Sequence, residues 1–107
     1  MSVLMTLRIK GDASKLEEIA AKDPAAFKKV SDNGRAAGAM MHHFYATEGE
    51  IMVVDEWPSA EAFHEFFKAN EAAIGGFMQA AGVTSPPEEK IWRRLDLGDD
   101  VGPVSAG

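Results

Sequence analysis

Two strand-like runs, Ala39 to Ala46 and Ile51 to Trp57, are separated only by Thr47-Glu48-Gly49-Glu50. Both runs are rich in β-branched, aromatic and methionine residues, and a glycine in so short a connection marks a tight turn. The middle of the chain is therefore predicted to be an antiparallel hairpin. A hairpin with one apolar face needs cover on that face, and the flanking sequence supplies it. Val3, Met5, Leu7 and Ile9 alternate with Leu4, Thr6, Arg8 and Lys10, the period of a half-buried strand. Gly11 ends that run, and Asp12 caps a helix carrying Leu16, Ile19 and Ala20 on one face. Asp23-Pro24 is a second cap with proline at the first helical position, so the helix is predicted to bend and restart through Phe27 and Val30. Asn33-Gly34 and Gly38 read as stop signals.

After the hairpin, Pro58-Ser59 opens a second helical region. Ser59 is the N-cap, Glu61 lies in the first turn, and Ala62, Phe63, Phe66 and Phe67 form an apolar face. Gly75-Gly76 is predicted to break or kink this helix, with a short turn around Phe77 to Ala81 continuing it. Gly82 and Pro86-Pro87 finish the segment, and Glu89 to Leu95 reads as a last strand. The order is β-α-β-β-α-β. With right-handed crossovers it gives a ferredoxin-like α+β fold, four antiparallel strands with both helices on one face. Residues 1–96 form this one domain, and 97–107, with little to bury, read as a flexible C-terminal tail. The uncovered sheet face would expose Leu4, Met41, Met52 and Val54, an apolar patch that predicts a homodimer.

Charge removes several function classes. Among 107 residues, 11 are Lys or Arg and 17 are Asp or Glu, a formal net charge of -6. Basic residues are scattered apart from Arg93-Arg94, so neither nucleic acid nor an anionic membrane surface is expected as a partner. There is no cysteine, which excludes disulfides, thiolate nucleophiles and Cys-based metal sites. No apolar stretch approaches the ~18 residues of a membrane span, and charge interrupts the N-terminus too early for a signal segment. A cytoplasmic location is the expectation.

The hairpin also assigns side chains to faces. If Glu48-Gly49 is the turn, Phe44 faces Val53, His42 faces Asp55 and Met40 faces Trp57. His42, Phe44, Val53, Asp55 and Trp57 then share the helix side, and His43, Tyr45, Met52, Val54 and Glu56 share the other. A histidine beside an aspartate under two helices suits proton abstraction, because the carboxylate fixes the imidazole tautomer and raises its basicity. On this reading His42 is the base, Asp55 its orienting partner, and Trp57 a flat wall for a ligand. The alternative is a buried polar pair whose only task is mutual hydrogen bonding. His42 and His43 point to opposite faces and cannot share a metal ion. His64 reads as a surface residue of the second helix. No Gly-x-Ser-x-Gly elbow, Gly-x-Gly-x-x-Gly pattern or P-loop occurs. Methionines 1, 5, 40, 41, 52 and 78 and the phenylalanine stripe are core residues or the lining of an adaptable pocket. Arg93 and Arg94 point to opposite faces of the last strand, one toward the helix side and a ligand anion or a carboxylate such as Asp55 or Glu56.

The element order and the stretch Ile51-Met52-Val53-Val54-Asp55-Glu56-Trp57-Pro58-Ser59-Ala60-Glu61-Ala62-Phe63 resemble the dimeric α+β barrel superfamily, within it the antibiotic biosynthesis monooxygenase-like group. Asp55, Trp57 and Ser59 match that group's acidic residue, aromatic residue and polar helix entry. The resemblance covers residues 1 to about 96. It implies a homodimer whose two sheets close into a barrel, with a small hydrophobic cavity in each subunit between sheet and helices. In the cofactor-free monooxygenases of the group, a substrate that yields a stabilised carbanion reacts directly with oxygen. Haem-degrading members place an axial histidine on the helix after the tryptophan, where His64 is the histidine of this chain. The expectation is a homodimeric small-molecule-binding protein, either a cofactor-independent monooxygenase-like or a proton-transfer enzyme for an aromatic or polyketide-like substrate. His42 and Asp55 would be catalytic, and Trp57, Phe44, Phe63 and Phe67 would contact the substrate, with neither metal nor cofactor. The other expectation, from a different class, is a ligand-binding or stress-related dimer without catalytic activity.

Overall fold

The computed structural model describes residues 2–83 and 85–102. Along the chain run β1 (Val3–Lys10), α1 (Ala13–Lys22), α2 (Pro24–Ala36), β2 (Met41–Thr47), β3 (Glu50–Trp57), α3 (Ala60–Ala69), α4 (Glu71–Ala80) and β4 (Glu88–Arg93). The strands form one sheet in the order β2-β3-β1-β4, with every neighbouring pair antiparallel. This is the ferredoxin-like α+β fold expected from the element order, with each predicted helical region built as two consecutive helices.

The hairpin has the expected register, with His42 opposite Asp55 and Phe44 opposite Val53. Gly49 takes φ +74, which a residue with a Cβ adopts only at a cost, so the turn depends on glycine at this position. Met40 lies before β2 and does not pair with Trp57 as expected: its N–H donates to the carbonyl of Glu56 at 2.8 Å, the residue that already faces Met41, so the register ends there. In β1 and β3 side chains alternate cleanly between the two faces. Met5, Leu7, Ile9, Ile51, Val53 and Trp57 are buried with Phe63 in one core between sheet and helices. On the other face Leu4, Tyr45 and Trp92 are exposed, and Met41, Met52 and Val54 are half-buried.

Three helix starts follow the sequence signals. The Asp12 carboxylate accepts from the Ser14 N–H at 2.9 Å, Asp23 accepts from the Ala26 N–H at 3.2 Å ahead of Pro24, and the Ser59 hydroxyl accepts from the Ala62 N–H at 3.1 Å. Two expected stops are corrected. Asn33-Gly34 does not end α2, which continues to Ala36 and closes before Gly38 at φ +110. Gly34 is buried beneath α3, and a Cβ there would touch the Phe66 ring at 3.6 Å, so this glycine marks a close helix contact rather than an end. Gly75-Gly76 does not break the second region either. The break is at Asn70, whose amide nitrogen turns back to the Phe66 carbonyl at 2.9 Å while its oxygen accepts from Asn33 at 3.1 Å. The glycine pair lies inside α4, where packing of Ile74, Phe77 and Met78 over the core outweighs weak helix propensity.

β4 begins one residue before the predicted strand and ends at Arg93; the following Arg94 pairs with Asp100 at 3.1 Å. Residues 94–102 form neither helix nor strand, and Leu97 and Val101 are exposed. The rest of the predicted tail, 103–107, lies outside the described residues, as does Met1. Among the described residues no helix is long and apolar enough to cross a membrane.

Candidate functional site

Between the sheet and the helices lies a cavity of about 120 Å³. Its floor is the inward face of β1 and β3, with Met5, Leu7, Ile51 and Val53, and its roof comes from all four helices. α2 offers Phe27, Val30, Ser31 and Gly34, a stripe at i, i+3, i+4 and i+7 that turns one helix face to the cavity. Phe27 stacks on Phe77 of α4 with ring centroids 4.3 Å apart, so the two helical regions meet over the cavity through an aromatic pair. Three of the lining residues are exposed: Ser31 on α2, and His42 and Phe44 on β2. The cavity therefore opens between α2 and the edge strand β2, which extends beyond the cover of the helices.

At this mouth stands a polar relay within a lining that is otherwise apolar apart from Ser31. His42 Nδ1 lies 2.6 Å from Asp55 Oδ1, and the Trp57 indole N–H donates to Asp55 Oδ2 at 3.1 Å. The hairpin register places His42 opposite Asp55, and the strand period places Trp57 two residues further on the same face. Asp55 is only 5% exposed, and Trp57 only 1%. The His42 side chain is 41% exposed. A carboxylate can only accept hydrogen bonds and an indole can only donate, so the proton between His42 and Asp55 belongs to Nδ1. Nε2 is then left with its lone pair and has no hydrogen-bond partner among the described residues. Neutral imidazole in this tautomer is a proton acceptor, and the adjacent carboxylate stabilises the imidazolium that results.

The other sequence candidates divide clearly. Phe44, Phe63, Phe67 and Trp57 all line the cavity. Phe63 is buried, with Trp57 and Phe67 rings at 5.9 and 5.8 Å, whereas Phe44 is 44% exposed and sits edge-on to the His42 ring. Tyr45 and His43 lie on the opposite sheet face, as the register required. His64 is on the exposed side of α3, its Nε2 2.9 Å from Glu89 of β4, away from the cavity lining. Arg93 is opposite Val3 on the helix side of the sheet but does not line the cavity. Sequence reasoning did not pick out Ser31 or the Phe27–Phe77 pair. The α2 stripe was visible as periodicity, but nothing in it tells which helix face meets the sheet and which meets a void. Among the described residues no three His, Asp or Glu side chains gather as a metal-binding group.

No protein-family model matches the sequence, and no curated protein matches it either. Solved structures do match the fold. A dimeric ferredoxin-like protein from an uncultured marine organism superposes with a TM-score of 0.64 at 13% identity, over 89% of this chain and 89% of the other. SnoaB from Streptomyces nogalater, described as a cofactor-independent oxygenase, gives 0.60 at 12% identity, over 92% of this chain and 98% of its own. A structure described as an antibiotic biosynthesis monooxygenase gives 0.60 at 7% identity, over 90% and 100%. At these identities the likeness is one of fold. The chain has the four-stranded ferredoxin-like architecture of antibiotic biosynthesis monooxygenase-like structures, as the sequence resemblance implied.

Proposed function

We propose that this chain is a homodimeric small-molecule enzyme in which His42 Nε2 takes a proton from a weakly acidic, largely apolar substrate. The observation that carries this reading is the His42–Asp55–Trp57 relay at the mouth of an apolar cavity. Both Asp55 oxygens are engaged, so the carboxylate is held as an orienting group while the imidazole has one nitrogen available for chemistry. A proton leaving a C–H or O–H of the substrate would move to Nε2, and the positive charge gained would face Asp55. The carbanion or enolate left behind has two fates. Reprotonation at another carbon gives an isomerised product. Addition of dioxygen at the carbanion carbon gives a peroxide anion, which recovers the proton from His42 and loses water, so that a CH2 group and O2 become a carbonyl and H2O. The second fate needs no cofactor and is the type of reaction of a cofactor-independent oxygenase such as SnoaB.

The cavity volume of about 120 Å³ compares with the roughly 150 Å³ void that admits benzene. Being somewhat smaller, it takes at most a single ring in this conformation, with any larger body of the substrate extending through the mouth past Phe44. The dimer is supported by the exposed and half-buried apolar residues of the outer sheet face and by the dimeric ferredoxin-like structure that shares the fold.

The test is proton exchange from a single-ring probe, the benzylic protons of phenylacetone, followed in D2O by NMR. His42→Ala is expected to slow protein-catalysed exchange by about a hundredfold or more, the usual contribution of a positioned base. Oxygen consumption with an anthrone probe separates the two fates of the carbanion. Equal exchange by the wild-type protein and His42→Ala would overturn the base assignment and leave a ligand-binding dimer.

A further inference from the structure

Among the described residues, the polar side chains lining the cavity are Ser31, His42, Asp55 and Trp57. Asp55 and Trp57 are occupied by each other and by His42. A substrate entering this space therefore meets two side-chain groups that are free to bind it, the Nε2 lone pair of His42 and the Ser31 hydroxyl. Ser31 makes no side-chain hydrogen bond among the described residues, although a mid-helix serine commonly bonds back to the carbonyl one turn earlier, here that of Phe27. It is also one of the three exposed lining residues, with His42 and Phe44, and so stands on the α2 side of the mouth that His42 flanks from β2. Among the described residues no Lys or Arg lines the cavity, and the chain as a whole is acidic.

From this inventory we infer that Ser31 is the second polar contact of the substrate, its hydroxyl donating to the oxygen that gains negative charge as His42 removes the proton. The inference rests on the proposed role of His42 and narrows the substrate class. A hydroxyl donor paired with an imidazole acceptor fits a neutral molecule that carries a carbonyl or phenolic oxygen next to its acidic hydrogen, an enolisable ketone or a phenol. A carboxylate or phosphate would enter an apolar space with no cation to receive it, and burial of an unpaired charge is strongly unfavourable. The charge on the substrate oxygen is larger in the transition state than in the bound ground state, so the Ser31 contact belongs to catalysis more than to binding.

Phenylacetone exchange in D2O tests this directly, with phenylacetate as the anionic counterpart. Ser31→Ala is expected to lower kcat for exchange about tenfold or more while changing KM little, and Ser31→Thr, which restores a hydroxyl, to recover most of it. A purely structural serine would give the opposite pattern. Alanine is the better helix former, so Tm would hold or rise in Ser31→Ala while kcat stayed at the wild-type value. Phenylacetate is expected to bind at least tenfold more weakly than the ketone. Unchanged kcat in Ser31→Ala, with His42→Ala inactive, would overturn the role of Ser31 and leave the base assignment standing. Exchange in the wild-type protein no faster than in His42→Ala would overturn both. Equal or tighter binding of phenylacetate would overturn the neutral-substrate class.

Discussion

Asp55 is the residue on which the site turns, because each of its oxygens answers a different donor. Trp57→Phe removes the donor to Oδ2 and leaves a buried oxygen without its partner. The expected loss is about 1–3 kcal/mol of stability, read from urea unfolding. Asp55→Asn is more informative because the amide has one acceptor and one donor end. With its oxygen toward His42, its NH2 group would oppose the Trp57 N–H. With its oxygen toward Trp57, the NH2 group donates to His42 Nδ1 and drives the ring proton to Nε2. Only the second arrangement satisfies every group, so this variant is expected to fold and to lose the base. The pair itself was legible in the sequence, because a two-residue turn with glycine at Gly49 fixes register, and register with a period of two fixes which side chains face each other. Ser31 was not, since its importance comes from the rotation of α2 about its own axis above a void.

At the scale of elements, α4 and α1 give contrasting expectations. Gly75 and Gly76 sit inside α4 without positive φ, and a Cβ at either would meet nothing within 4 Å. Alanine at each is expected to add about 0.5–1 kcal/mol, raising Tm by roughly 4–8 °C per kcal/mol in a domain this size. The same glycines explain why α4 was misread: local propensity argued for a break, and contacts made by Ile74, Phe77 and Met78 decided otherwise. In α1, the hydroxyl of Ser14 at 2.7 Å, and then its backbone N–H, hold the Asp12 carboxyl below the usual carboxylate range. A carboxyl lowered in the folded state stabilises it above the ordinary carboxylate pKa, and that stability is lost as pH falls through the lowered value. Asn at position 12 keeps a capping side chain but cannot titrate. Across that acid window Tm is therefore expected to fall more steeply in the wild-type protein than in Asp12→Asn.

For the whole molecule, the sheet has one face under helices and one without them. Helix-side burial of Met5, Leu7 and Ile9 was readable from alternation alone, as was the apolar character of the other face. What covers that face could not be read from one chain's periodicity. If two copies pair there, Val54→Arg, at a half-buried position in the central strand β3, is expected to yield a monomer in sedimentation velocity with an unchanged far-UV spectrum. A dimer of undiminished affinity in that variant would move the interface elsewhere.

The proposed chemistry depends most on where one proton sits, and nitrogen-detected NMR of the His42 ring reads it directly, at a pH where the ring is neutral. The Nδ1–H tautomer is expected in the wild-type protein, with Nε2 unprotonated, and a switch to Nε2–H in Asp55→Asn. A wild-type ring carrying its proton on Nε2 would contradict that chemistry, because the nitrogen assigned to take the substrate proton would already hold one.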